Sequence, residues 1–256
     1  TMGVANQSNF NNPNVSSVSW TFRKKEKFFD IVTYTGNGAD NRAIPHNLNS
    51  RAGVVLVKRL DASSGWFTYH KQLDGGVNNI PNVFLNTTAA KTFSGMAFQN
   101  YAGVGGGVDA TKNFIVRTPA NVNNATYVAY LFADNSTEDA EEQMIKCGNY
   151  GGTAADQSIN LGWEPQFLLI RNVESAADWY ILDTMRGFTA TTLSNELVSP
   201  NNSNAASKVG NVVYDQYLTS TGFRMLANAS EFNVDNGNYI YMAIRAPMMV
   251  EPEAAT

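Results

Sequence analysis

Apolar residues recur along this chain with a period of two. IVTYTG, VVLVKR, WFTYH, VFLN, FIVR and YVAYLF are short and rich in β-branched and aromatic residues, with turn clusters between them. Such alternation over four to eight residues marks strands with one buried face. Asn37-Gly38 and Asn236-Gly237 mark tight turns, because both positions accept positive φ. Asp235-Asn236-Gly237, between FNV and YIYMAI, predicts a hairpin. No segment carries a helical stripe beyond a single turn near residues 138–145. Many short strands with regular turns predict an all-β protein of the β-sandwich or jelly-roll kind.

The pattern also occurs twice. GVVLVKRLDASSGWFTYHKQL (53–73) aligns with PQFLLIRNVESAADWYILDTM (165–185), an offset of about 113 residues. Val57-Lys58-Arg59 then falls on Ile170-Arg171-Asn172, and Trp66 on Trp179. YTGNGADNRAIPHNL (34–48) matches GNYGGTAADQSINL (148–161), and ATYVAYLFAD (125–134) matches GNYIYMAIRA (237–246). The turns at 61–65 and 174–178 fill the same slot. We therefore expect two tandem β-sandwich, jelly-roll-like domains related by internal duplication, at 27–134 and 144–247. Residues 135–143, with four acids and no large apolar side chain, read as a solvated linker. VSSVSWTFRKK (15–25) looks like a third copy of the closing strand, with Trp20 where Tyr130 and Met242 sit. Residues 1–26 thus read as the end of a preceding unit or a linker, and 248–256 as an exit segment. Both ends look cut from something longer.

Composition narrows the function. Hydrophobic residues make up 43% and charged residues only 16%, which excludes an intrinsically disordered chain. The 18 basic residues are outnumbered by 22 acidic ones, so no nucleic-acid partner is expected. The apolar runs are strand-sized, far short of the ~20 residues of a membrane-spanning helix, and no membrane insertion is expected. The 31 asparagines make a surface polar through amides rather than charge. Cys147 is the only cysteine, which excludes an intrachain disulfide and a cysteine-based metal site.

The chain carries little that looks like catalysis. It lacks a G-x-S-x-G elbow, a P-loop and an H-E-x-x-H pair. His46 and His70 are not repeated: the alignment sets Ile159 opposite His46 and Asp183 opposite His70. GVGGGVD (103–109) is glycine-rich, but no Lys-Ser/Thr pair follows it. No pair of carboxylates is marked out for glycoside hydrolysis. We expect no enzyme, no catalytic residues, no metal and no cofactor. Glycan recognition by β-sandwiches pairs a stacking aromatic with amide side chains. AFQNYAGVGGG (97–107) has that composition, so Gln99, Asn100 and Tyr101 are candidate glycan contacts. Trp163, aligned with Ser50 and read as partly exposed, joins them. Trp66 and Trp179 read as core.

Several ordered phrases carry a resemblance. FFDIVTYTGNG (28–38), IPHNL (44–48), VVLVKR (54–59), VFLNTTAA (83–90) and YVAYLFA (127–133) are followed by IKCGNYGG (145–152), LGWEPQFLLIRN (161–172), DTMRG (183–187) and YIYMAIRAP (239–247). Together they resemble a tandem β-repeat family of virion structural proteins from tailed bacteriophages, especially phages of marine bacteria and cyanobacteria. Asn49-Ser50-Arg51-Ala52 departs from the family's Gly-x-x-Pro, which residues 162–165 keep. The resemblance implies a structural, tail-fibre-like or tail-associated protein of the virion, acting in host-surface attachment through a glycan or receptor. The alternative it leaves is a head-decoration or scaffold protein that binds only other virion proteins; a surface-polysaccharide depolymerase stands behind both. It implies virion proteins as partners, a host-surface glycan, and a homo-oligomer, trimeric if fibrous.

Overall fold

The computed structural model describes residues 18–73, 80–99, 108–139, 141–190, 196–202, 204, 207–208, 216–227, 229 and 231–246. The first half contributes β1 (Phe29–Thr35), β2 (Arg42–Pro45), β3 (Ala52–Arg59), β4 (Trp66–His70), β5 (Val83–Phe84), β6 (Asn113–Val116) and β7 (Thr126–Ala133). The second contributes β8 (Ile145–Gly151), β9 (Gln157–Asn160), β10 (Pro165–Asn172), β11 (Tyr180–Asp183), β12 (Glu196–Leu197), β13 (Ser207–Lys208), β14 (Gln216–Thr219), β15 (Gly222–Met225) and β16 (Asn238–Arg245). Among the described residues helix is limited to 3-10 turns, such as Lys71–Leu73 and Thr184–Arg186. The molecule is all-β and sandwich-like, with several sheets.

The main sheet of the first half runs β1-β7-β3-β4-β5. That of the second runs β8-β16-β10-β11, and Val198 bridges Ile181 on the outer side of β11. Every pairing in both is antiparallel. Smaller sheets complete each half: β2-β6 in the first, β14-β15-β9 and β12-β13 in the second. The register matches the aligned residues. Val57 pairs with Ala129 and Arg59 with Tyr127; Ile170 pairs with Tyr241 and Asn172 with Tyr239. One alignment shifts. Ile159 pairs with Phe223 as Ile44 pairs with Phe114, so Ile159 takes the place of Ile44. Leu161 then stands opposite His46, its N–H donating to Thr221 as that of His46 donates to Lys112.

One constellation closes the end of each half. Tyr34 stacks on Tyr127 at 5.0 Å, and Tyr150 on Tyr239 at 4.9 Å. The Tyr34 hydroxyl donates to the Ala120 carbonyl and that of Tyr150 to Phe232. The Tyr127 hydroxyl accepts the Val122 N–H, and that of Tyr239 accepts the Val234 N–H, each at 3.0 Å. Buried Asn121 accepts from the Asn37 N–H and donates to the Ala39 carbonyl; buried Asn233 does the same with Thr153 and Ala155. Such amides satisfy turn backbone that would otherwise be buried without partners. Asn124 and Asn236 each sit at a φ near 60°, the turn chemistry asparagine tolerates.

Three expectations fail locally. Residues 18–24 form no strand; they cross to the second half, where Trp20 meets Phe167 edge-on at 6.2 Å. FNV (232–234) is not a strand either, because its Asn233 is committed to the turn around Thr153, and β16 pairs with β10 and β8. The acidic 135–143 stretch is anchored rather than merely solvated. Asn135 is fully buried, donates to the Lys27 carbonyl and accepts from the Met144 and Ile145 N–H groups.

Directly paired residues share a sheet face. On one face of the second sheet, Leu168, Ile170, Tyr239, Tyr241 and Ala243 enter a core confined to that half. The opposite face, with Cys147, Phe167, Leu169, Ile240 and Met242, belongs to the same apolar cluster as the core of the first half. The two halves are therefore welded through shared apolar surface and do not hang from a linker as separate bodies.

Candidate functional site

The seam between the halves gathers the most unusual chemistry of the molecule. Arg171, in the apolar run FLLIRN of β10, is only 1% exposed. Its guanidinium donates to the carbonyls of Phe84, Thr87 and Ala89, the first two at 3.0 Å. Trp179 adds its indole N–H to the Phe84 carbonyl at 2.9 Å and lies beneath the Arg171 guanidinium at 5.3 Å. Desolvation draws the guanidinium down to about 10, still cationic at neutral pH. Backbone pairs extend the clasp: the Lys91 N–H donates to Val173 and the Ala177 N–H to Thr88. A surface-type ion pair joins Lys91 to Glu174 at 2.5 Å.

Residues 18–25 close the other side. Phe22 packs on Phe132 and Phe29 of the first half and on Phe167 of the second. The Trp20 indole donates to Asp183 at 3.2 Å; Asp183 also holds Arg186 at 2.6 Å, whose guanidinium covers the Trp20 ring. Two clefts flank this segment. One of about 700 Å³ mixes Arg23, Lys25 and Lys27 with Glu141 and Glu142. The other, about 340 Å³, lies between Trp20, Met185 and Arg186.

His70 lies within the seam and is 2% exposed. Its Nε2 donates to the Tyr241 carbonyl at 3.0 Å, and its Nδ1 accepts the Gln72 N–H. Those two partners fix the neutral tautomer, and burial lowers its pKa to about 4. The unfolded imidazole titrates near 6.5, so the unfolded chain binds the extra proton first as pH falls. Stability conferred by neutral His70 is complete above pH 6.5 and is lost toward pH 4. Unfolding in urea at pH 7 and pH 5 should show about 2 kcal/mol less stability at pH 5 from this group. His70→Gln should remove that increment; an unchanged pH difference in the variant would refute the assignment.

Cys147 is 1% exposed, and its thiol donates to the Ala133 carbonyl at 3.6 Å. Burial pushes its pKa well up, which disfavours the thiolate. A thiol reagent should modify it only at the rate of unfolding; rapid labelling of the native protein would contradict this placement. Among the described residues no three His, Cys, Asp or Glu side chains are grouped to hold a metal ion.

Of the expected glycan contacts, the described residues Gln99 and Trp163 lie in different halves. Gln99 is 6% exposed and accepts from Arg117 at 3.3 Å, in the first half. Trp163 belongs to the core of the second half. Its expected partial exposure is corrected: it is 3% exposed, with its indole donating to Gln143 at 3.2 Å, so neither ring face is open. Asn100 and Tyr101 lie outside the described residues. Trp179 is core as expected, whereas Trp66 remains half-buried. Local sequence periodicity does not mark the seam residues Arg171 and Trp20 as candidates. A charged residue inside a continuous apolar strand was the available signal, since arginine is rarely fully buried without partners.

Comparison with curated proteins and with solved structures gave no match. A family described as a domain of unknown function (DUF7483) matches residues 1–247, across both halves, and the chain belongs to that family.

Proposed function

We propose that the chain consists of two copies of one jelly-roll-like sandwich unit and serves as a non-enzymatic structural protein of a tailed-phage virion. Its place is the tail, and its task is attachment to the host surface. The observation that carries the structural part is the shared strand order of the two main sheets, together with their matching Tyr–Tyr–Asn closures. Units that repeat and weld through apolar faces extend a particle without a cofactor. The buried polar groups support the same reading. Arg171, His70 and Cys147 are each committed to backbone carbonyls of the fold. The phage assignment and the attachment task rest on the resemblance of the ordered phrases from FFDIVTYTGNG to YIYMAIRAP.

Immunogold labelling of intact phage particles, with antibody raised against this chain, tests the proposal. Gold on tail or fibres is expected, together with saturable binding of the purified chain to host cells. Gold over the capsid alone would replace attachment by head decoration, and particles without gold would overturn the virion role.

A further inference from the structure

The two halves differ in how one face of the main sheet is covered. In the second half, Cys147, Leu169, Arg171, Trp179, Ile240 and Met242 occupy that face, and none is more than 5% exposed. The first half covers them, chiefly through β5 and the turn that follows it. The register places Ile31, Leu56, Lys58, Trp66, Val128 and Tyr130 at the equivalent positions of the first half. All six are only half-buried. Trp66 stacks on Tyr130 at 6.0 Å, and Lys58, where Arg171 would be, donates only to the Ser64 carbonyl of its own hairpin. The chain thus carries one covered and one half-open version of the same apolar face.

The element that covers the closed face is also present twice. Asn86 accepts the Trp66 N–H at 2.8 Å, and Asn201 accepts the Trp179 N–H at 2.7 Å. This equivalence sets Ser199 against Phe84, Asn202 against Thr87 and Asn204 against Ala89. Those three positions of the first half supply the carbonyls that receive Arg171. In the second half they are half-buried at Ser199 and Asn202 and exposed at Asn204, and among the described residues no strand donates to their carbonyls as β10 does to those of the first turn.

We propose that the half-open face of the first half seats the 199–202 turn and Asn204 of a second copy of this chain, head to tail. The internal seam is the template for the contact. Lys58 and Trp66 then donate to the carbonyls of that turn as Arg171 and Trp179 do within the chain. Such a contact is heterologous: each copy offers a face at one end and a turn at the other, so it builds rings or open arrays. The inference rests on the equivalence of the two halves under the proposed function, and it names the partner through which such units extend.

Sedimentation velocity of the full chain over a wide concentration range tests it. The mass should rise with concentration. K58E sets a carboxylate against carbonyl oxygens, and N204R sets a guanidinium against the Lys58 ammonium. Each alone should weaken association about tenfold or more, as expected for loss of one charge-assisted hydrogen bond. Mixing the two variants should restore association, because the unaltered face of the N204R copy then receives the unaltered turn of the K58E copy. Restoration on mixing also shows that neither variant is misfolded. A mass that stays monomeric at every concentration overturns the proposal. Association lost in K58E but unaffected by N204R overturns the head-to-tail geometry in favour of face-to-face pairing. Gold labelling of particles is independent of both results, so a failed docking contact leaves the virion role standing, and the converse also holds.

Discussion

Replacing Arg171 with alanine should lower stability by about 4 kcal/mol, the order found when one partner of a buried charged network is removed. The guanidinium serves three carbonyls in the first half, those of Phe84, Thr87 and Ala89. Without it those acceptors stay buried without donors, each costing ~1–3 kcal/mol, and partial relaxation limits the sum. The Trp179 ring also loses its cation. For a chain of this length the midpoint of thermal unfolding should fall by roughly 10 °C. Lys58→Ala, at the aligned position of the first half, should cost less than about 1 kcal/mol, because Lys58 is half-buried and donates to one carbonyl. Chemical unfolding of both variants decides the matter. Equal losses would mean that the clasp contributes nothing beyond an ordinary strand position.

Gly36→Ala and Gly152→Ala should each destabilise the protein by about 3 kcal/mol, at the upper end for overpacking, because backbone must move. A Cβ on Gly36 would overlap the Val122 carbonyl, and one on Gly152 would overlap the Val234 carbonyl. Both glycines are locked by matching bonds. The Gly36 N–H donates to Ala125 and its carbonyl accepts from Asn124; Gly152 does likewise with Gly237 and Asn236. The sites lie in different halves, so the double variant should lose close to the sum, about 6 kcal/mol. Gly151, the neighbour of Gly152, has open space where a Cβ would go. Gly151→Ala should therefore be neutral or slightly stabilising, since alanine restricts the unfolded chain. A harmless Gly36→Ala beside a costly Gly152→Ala would break the equivalence of the two turns.

Much of this architecture is legible in the sequence where local pattern decides. The offsets that align Val57 with Ile170 and Tyr127 with Tyr239 agree with the register of the sheets, because alternation ties a residue to a face. What period cannot encode is which face meets another unit. Lys58 and Arg171 align as two basic residues near a strand end, yet one is half-buried and the other sealed. The difference comes from tertiary packing over 80 residues of chain. Trp163 is sealed for the same reason: Gln143, from a stretch whose composition reads as solvated, accepts its indole N–H. Trp20 looked like a strand residue because a strap crossing an apolar seam needs the same side chains as a strand. The attachment residues are the least legible part. Gln99 is buried, and Asn100 and Tyr101 lie outside the described residues.

The strap at residues 18–25 also has a consequence for the order in which the chain is completed. Trp20 is synthesised before its acceptor Asp183, which follows 163 residues later. At ~5–20 residues per second, synthesis of that interval takes roughly 10–30 s. During that time Phe22 can settle on Phe29 and Phe132 but not on Phe167. The carbonyls at Phe84 and Thr87 likewise wait for Arg171. The first half therefore spends its early life with a wet, unsealed flank, and its last folding step is timed by translation of β10 and β11.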